Sequence, residues 1–310
     1  MHLGLTPWRI SGQVDAHALA RQAALAEEWG YESFWLPESH FAGDAAVPDP
    51  LMLLAAVSAC TRTIRLATTS YLLPMRHPLQ AAEQVAVLDR LSGGRVILGV
   101  GRGYQPKMFD AFEVSRKDKR RLFETCLATM QRAWKGEPVG DEPGGVRLSP
   151  LPVQEPHPPV WVAAFGPKAL AQAGRLGLPY LASPMEPLGR LRENFERHGQ
   201  ACDAAGVARP VEVPIMRTLF VSEERRLVDQ VRDQLGIAAR QMAAGGRPGV
   251  SLEADDWAIV GDPATVSDKV AAYVEILGMT HLVVTRLRIG RLAAAVLERS
   301  VRTAAELFSQ

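Results

Sequence analysis

Apolar positions along the chain recur with two periods, and the two alternate. Short apolar runs at 3–6, 33–36, 64–73, 96–100, 160–164, 180–182, 211–221 and 281–285 predict strands. Between them, apolar residues return at helical spacing over 15–29, 50–60, 77–92, 119–134, 167–176, 188–205, 223–244, 263–277 and 289–308. The clearest unit runs from Leu72 to Tyr104. Pro78 suits the first turn of a helix, where its missing N–H costs nothing. Ala82, Val85, Leu88 and Leu91 continue that helix, and Ser92-Gly93-Gly94 stops it with residues that accept positive φ. Val96 to Val100 then reads as a strand buried on both faces.

Eight strands alternating with helices predict an α/β fold with a parallel sheet. In a single domain spanning 1–310, the count favours a closed (β/α)8 TIM barrel over an open doubly wound sheet. Two stretches break the rhythm. Residues 136–159 are rich in Pro and Gly and hold weak strand signals at 146–148 and 151–154, which predicts an inserted hairpin. Residues 245–257 read as a glycine-containing loop excursion. A barrel places its active site at the carboxyl ends of its strands. Thr6-Pro7-Trp8, Glu38-Ser39-His40, Thr69-Ser70-Tyr71, Arg102-Gly103-Tyr104 and Ala164-Phe165-Gly166 fall there.

Composition narrows the classes. The 310 residues are 47% hydrophobic and carry a net charge of +1, so nothing in the charge favours nucleic acid or an anionic membrane. Cys60, Cys126 and Cys202 show no paired spacing, which fits a reducing, cytoplasmic compartment. The opening residues are too short and uncharged for a signal peptide, and no apolar stretch approaches the roughly 20 residues of a membrane span.

The candidate chemistry gathers at the strand ends. Arg102 between two glycines reads as an anion site or as a surface arginine in an ion pair; Gly99-x-Gly101-x-Gly103 lacks the dinucleotide spacing. Gly166-Pro167-Lys168 opens a helix after a strand, an arrangement that serves as an anion site or as a plain turn. Asp262 reads as an N-cap. His40, beside Glu38 and Ser39, is a candidate general base or hydrogen-bond donor, or a structural histidine. The seven histidines show no metal-ligand spacing, so no metal is expected, and no G-x-S-x-G turn is present.

Phe34-Trp35-Leu36-Pro37-Glu38-Ser39-His40-Phe41 and the stretch from Leu73 to Tyr104 resemble the bacterial-luciferase-like flavin-dependent monooxygenases, a (β/α)8 family. Weaker similarity runs through 160–181 and 259–263. The resemblance implies reduced FMN, supplied by a separate reductase, with O2 adding at the flavin C4a and attacking a small, moderately hydrophobic organic substrate. It implies Arg102, with Gly103 and Tyr104, at the flavin phosphate, joined by Ala164, Gly166 and Lys168. It implies a non-prolyl cis peptide at Thr69-Ser70 beneath the flavin ring. His40, Glu38 and Ser39 are its catalytic candidates, and the loops after Trp8, Tyr104 and Val139, with 245–257, its pocket walls. A homodimer is the family habit. Ser39 stands where the luciferases proper have a histidine, and Gly101 where they have a reactive cysteine, which argues against light emission. Relatives on this fold use the deazaflavin coenzyme F-420 for hydride transfer, and a non-catalytic flavin-binding protein is a third reading.

Overall fold

The computed structural model describes residues 1–10, 15–43, 46–140, 144–244 and 251–309. In chain order the elements are β1 (His2–Leu5), α1 (Ala16–Glu28), β2 (Ser33–Leu36), α2 (Pro50–Cys60), β3 (Arg65–Thr68), β4 (Tyr71–Leu72), α3 (Pro78–Ser92), β5 (Val96–Gly101), α4 (Pro106–Ala111) and α5 (Lys119–Trp134). Then follow β6 (Val160–Ala163), α6 (Pro167–Arg175), β7 (Tyr180–Leu181), α7 (Leu188–Ala205), β8 (Pro214–Val221), α8 (Arg225–Ala244), β9 (Ala258–Gly261), α9 (Pro263–Leu277), β10 (His281–Thr285) and α10 (Ala294–Phe308). This is the expected α/β fold of alternating strands and helices. It divides into two compact units.

The first unit comprises Met1–Arg9, Leu25–Phe34 and Ala164–Gln310. Its ladders are parallel: Leu5 pairs with Phe34 and with Val284, Val283 with Met216, and Thr218 with Ala258. A single parallel bridge joins Ala182 to Ile215. β8 is buried along its whole length, the signature of a strand covered on both faces. Asp262 caps α9, its side chain accepting from Thr265 N at 2.8 Å, and Gly278 ends that helix at φ 65°.

The second unit comprises Ile10–Ala24 and Trp35–Ala163. β5 is its spine: Ala67 pairs with Ile97, Tyr71 with Val100, and Gly99 with Trp161, all in parallel. Trp35 and Trp161 stack with ring centroids 5.3 Å apart. α3 begins at Pro78 and stops where Gly93 turns left-handed at φ 68°.

The amino end of β5 is tied down by two charged side chains. Arg95 donates to Ser92 O, Thr61 Oγ1, Ile64 O, Ser58 O and Thr61 O. Asp89, fully buried, accepts from Val153 N at 2.8 Å, Gln154 N at 2.9 Å and Gln154 Nε2 at 2.7 Å.

The second tie corrects an expectation. Residues 151–154 do not form a strand, because the amides of Val153 and Gln154 bond the Asp89 carboxylate instead of a neighbouring chain. The expected hairpin reduces to one antiparallel bridge, Val139 to Val146; residues 141–143 lie outside the described residues. Other boundaries shift for local reasons. The 64–73 run divides at a cis Thr69–Ser70 peptide. β8 starts at Pro214, and Val211 is 81% exposed beyond it. The closing helix starts at Ala294 rather than 289, since Arg288 and Gly290 take φ of 70° and 87°. The loop expected after Arg102 contains α4, opened by Pro106 and anchored by buried Met108 and Phe109. β9 was not anticipated. Part of the expected excursion, residues 245–250, lies outside the described residues, as do 11–14 in the loop after Trp8.

Candidate active site

In the second unit the carboxyl ends of β2, β4 and β5 carry the unusual chemistry. Glu38, two residues beyond β2, has a fully buried side chain with three neighbours. Oε2 accepts from Leu72 N at 3.0 Å, His40 Nε2 sits 2.7 Å from Oε1, and Arg76 Nη2 lies 2.8 Å from the same oxygen. A carboxylate only accepts, so His40 carries a proton on Nε2 and turns Nδ1 away from Glu38. The His40 ring meets Phe112 edge-on at 5.0 Å and Phe41 at 6.0 Å. Phe41 holds φ at 55°, uncommon for an aromatic residue, and leaves its ring exposed.

Arg76 belongs to the same cluster. Its guanidinium carbon stands 3.9 Å above the Tyr71 ring, and its Nε has no hydrogen-bond partner among the described residues. The contact with Glu38 is an ion pair by distance, with angles poor for a hydrogen bond. Burial pushes the Tyr71 hydroxyl up, the cation of Arg76 opposes this, and the hydroxyl donates to Gln84 Oε1 at 2.9 Å. Ser39 serves the loop: it exchanges backbone bonds with Val47, and its Oγ accepts from Val47 N at 3.0 Å. The structure thus brings Glu38 and His40 into direct contact and turns Ser39 toward Val47.

At the end of β5 the backbone is bare by necessity. A Cβ added at Gly101 would overlap Ser70 Oγ and stand 2.9 Å from Ser70 Cβ, so the seryl side chain of the cis Thr69–Ser70 pair occupies the space a cysteine would need. Gly103 turns left-handed at φ 70° between Arg102 and an exposed Tyr104. The Arg102 guanidinium is half-buried, 5.9 Å from the Phe123 ring. Burial pulls its pKa down to about 10; Arg120 lowers it further, while Glu124 opposes them. Lys119 is lowered by burial and then by Arg102, Arg116 and Arg120. A desolvated cation crowded by cations is a setting that an anion relieves. A phosphate monoester therefore fits this donor set.

In the first unit Ala164 is buried, and Gly166 caps α6 at φ 73° and ψ 168°, a region open to glycine. The amides of Ala169 and Leu170 already bond Gly166 O, and Pro167 has no N–H. The anion site expected at this helix start therefore narrows to the Lys168 amide and its exposed side chain. The same unit buries Arg217, which donates to Ser183 O, Met216 O and Glu186 O. Glu186 accepts from Tyr180 Oη, Asn194 Nδ2 and Ser183 N, which satisfies the carboxylate, while Arg217 Nε has no hydrogen-bond partner among the described residues.

Sequence reasoning missed Arg76, which stood as an unnamed position inside the Leu73–Pro78 motif, and missed the cations around Arg102, which were visible as the run 116–121. No cluster of three or more His, Cys, Asp or Glu side chains among the described residues could hold a metal, and all three cysteines are free. No helix among them is long and apolar enough to cross a membrane.

A family model described as luciferase-like monooxygenase matches residues 3–281. The chain belongs to that family. This luciferase-like chain is 30% identical over 251 residues to an uncharacterised protein, y4vJ, of Sinorhizobium fredii, covering 75% of the chain and 70% of that protein. It is 33% identical over 193 residues to 4-hydroxyprotoasukamycin monooxygenase of Streptomyces nodosus, covering 59% and 52%. It is 25% identical over 232 residues to the oxygenase component of a flavin-dependent trigonelline monooxygenase of Acinetobacter baylyi, covering 69% and 61%. The matches therefore span 52% to 70% of the length of these relatives. Among solved structures, the monooxygenase RslO1 of Streptomyces bottropensis superposes with a TM-score of 0.83 at 27% identity, covering 99% of this chain and 98% of that one. The FMN complex of a 3,6-diketocamphane monooxygenase oxygenating constituent from Pseudomonas putida gives 0.81 at 21% identity, covering 100% and 98%. A coenzyme F-420-dependent tetrahydromethanopterin reductase of Methanopyrus kandleri gives 0.73 at 19% identity, covering 98% and 97%. The last two show the shared fold alone. The expected barrel class and the family resemblance both hold.

Proposed function

We propose that this luciferase-like chain is the oxygenase of a two-protein system, using reduced FMN from a separate flavin reductase and O2 to oxidise a small, moderately hydrophobic organic molecule. The observation that carries the reading is Arg102, a half-buried guanidinium at a strand's carboxyl end with like charges beside it. Bound reduced FMN would supply two electrons to O2, so that one oxygen atom enters the substrate and the other leaves as water.

The chain's own residues position, orient and move protons. Arg102 holds the phosphate through charge-assisted hydrogen bonds, beside the left-handed turn at Gly103 and the Tyr104 backbone. Gly101 adds no side chain of its own at the strand end, and Ser70 fills the space beside it, a small surface suited to a flat ring. Glu38 fixes the tautomer of His40, which takes or gives a proton at Nδ1. Phe41 and Phe112 flank that imidazole and keep water from it. Ser39 contributes by holding the loop that carries His40. The α6 start at Gly166 and Lys168, behind Ala164, is a proposed anion contact in its own unit. The reductase partner is supported by the Acinetobacter relative, which is named an oxygenase component. A homodimer is proposed from α2, an almost wholly apolar helix that leaves Met52 71% exposed.

The test is oxygen uptake by the protein with a flavin reductase, NADH and FMN, run against a panel of apolar aldehydes, ketones and phenols. The reading predicts substrate-dependent product with hydrogen peroxide release suppressed. Reduction of coenzyme F-420 without oxygen uptake would assign hydride transfer instead. Tight FMN binding with no turnover of any substrate would assign a flavin carrier.

A further inference from the structure

The head of α5 carries more positive charge than one phosphate requires. Arg116, Lys117, Lys119, Arg120 and Arg121 surround a single acid, Asp118, in a chain whose total charge is only +1. Asp118 is taken by Arg121, whose Nη2 lies 3.2 Å from its carboxylate. Arg116, Lys117 and Arg120 are exposed. Two cations lie over aromatic rings of the adjoining short and long helices: Lys119 Nζ is 5.9 Å from the Phe109 ring, and Arg102 is 5.9 Å from that of Phe123. Arg102, Arg116 and Arg120 all lower Lys119, so their charges meet at that side chain.

We propose that Arg116, Lys117, Lys119 and Arg120 form a capture surface that steers a dianionic phosphate ester from solution onto Arg102. The proposal rests on the reading that Arg102 takes the cofactor phosphate. A cofactor delivered by diffusion from another protein must be found quickly at low concentration. A surface of one charge sign raises association rates by about 10- to 1,000-fold, and salt abolishes the gain. The exposed members act on arrival and need not touch the bound ligand. Their removal therefore slows association and leaves dissociation alone.

Stopped-flow mixing with FMN, followed by flavin fluorescence, separates the two rates. In the native protein the FMN association rate falls at least about tenfold between about 20 mM and about 500 mM salt. In the double variant Arg116→Gln, Lys117→Gln, the low-salt rate falls about tenfold and the salt dependence flattens, while dissociation is unchanged. Riboflavin, which lacks the phosphate, associates at a rate indifferent to salt and to the variant. Unaltered FMN association in the double variant overturns the proposal. So does a faster dissociation with unaltered association, which would make these residues direct contacts. If instead Arg102→Ala leaves FMN dissociation unchanged, the phosphate assignment fails, and the capture surface fails with it. The charge-reversal pair Arg116→Glu, Lys117→Glu doubles the charge change at the same exposed positions and should slow FMN association further; an equal rate in both pairs also counts against steering.

Discussion

The two ends of β5 hold arginines and buried carboxylates in opposite states. At the amino end, Arg95 spends its three nitrogens on five acceptors, and Asp89 accepts from three donors. At the carboxyl end, Arg76 keeps an Nε without a partner among the described residues, and Arg102 sits among like charges. Native structures rarely leave buried polar groups unmet, so the open Arg76 Nε sets the carboxyl end apart from the fully bonded Arg95 and Asp89 at the amino end. The same division is expected of a barrel, stable at the bottom and reactive at the top.

Substitutions on either side sharpen that contrast. Asp89→Ala takes the acceptor from the Val153 and Gln154 amides and one of two acceptors from Gln154 Nε2, and should cost about 3–5 kcal/mol of stability, read as a lowered denaturation midpoint. Arg76→Met strips Glu38 of its cation and should cost about 2–3 kcal/mol, with Arg76→Lys recovering part of it, because the side chain is buried less completely than Asp89. His40→Gln should slow substrate oxidation about 100-fold, or about 2.7 kcal/mol of barrier, with the denaturation midpoint nearly unmoved. Gly93→Ala meets open space and carries only the strain of a left-handed backbone, about 1 kcal/mol. A large activity loss with intact folding in Asp89→Ala would erase the distinction between the two ends.

Much of this was legible in the chain. β5 and α3 follow from a buried apolar run and a proline-to-glycine helix, because local chemistry decides both. Asp262 was readable as a cap for the same reason. The strand expected at 151–154 failed because its amides answer to Asp89, more than sixty positions earlier. β9, four residues long, gave too short a run to stand out between a loop and Pro263. At the site, Glu38 and His40 are two residues apart and were seen together; Arg76 joins them only through folding. The positive run before α5 was visible throughout, but its bearing on Arg102 depends on a proximity no local pattern encodes.

The phosphate assignment is the claim on which the functional account turns. Equilibrium titration of the native protein and Arg102→Ala with FMN and with riboflavin tests it directly. The native protein should prefer FMN by about 10- to 100-fold, and Arg102→Ala should bind the two flavins alike, a loss of about 1.4–2.8 kcal/mol. An equal affinity for both flavins in the native protein, or a preference that survives the loss of Arg102, would contradict it.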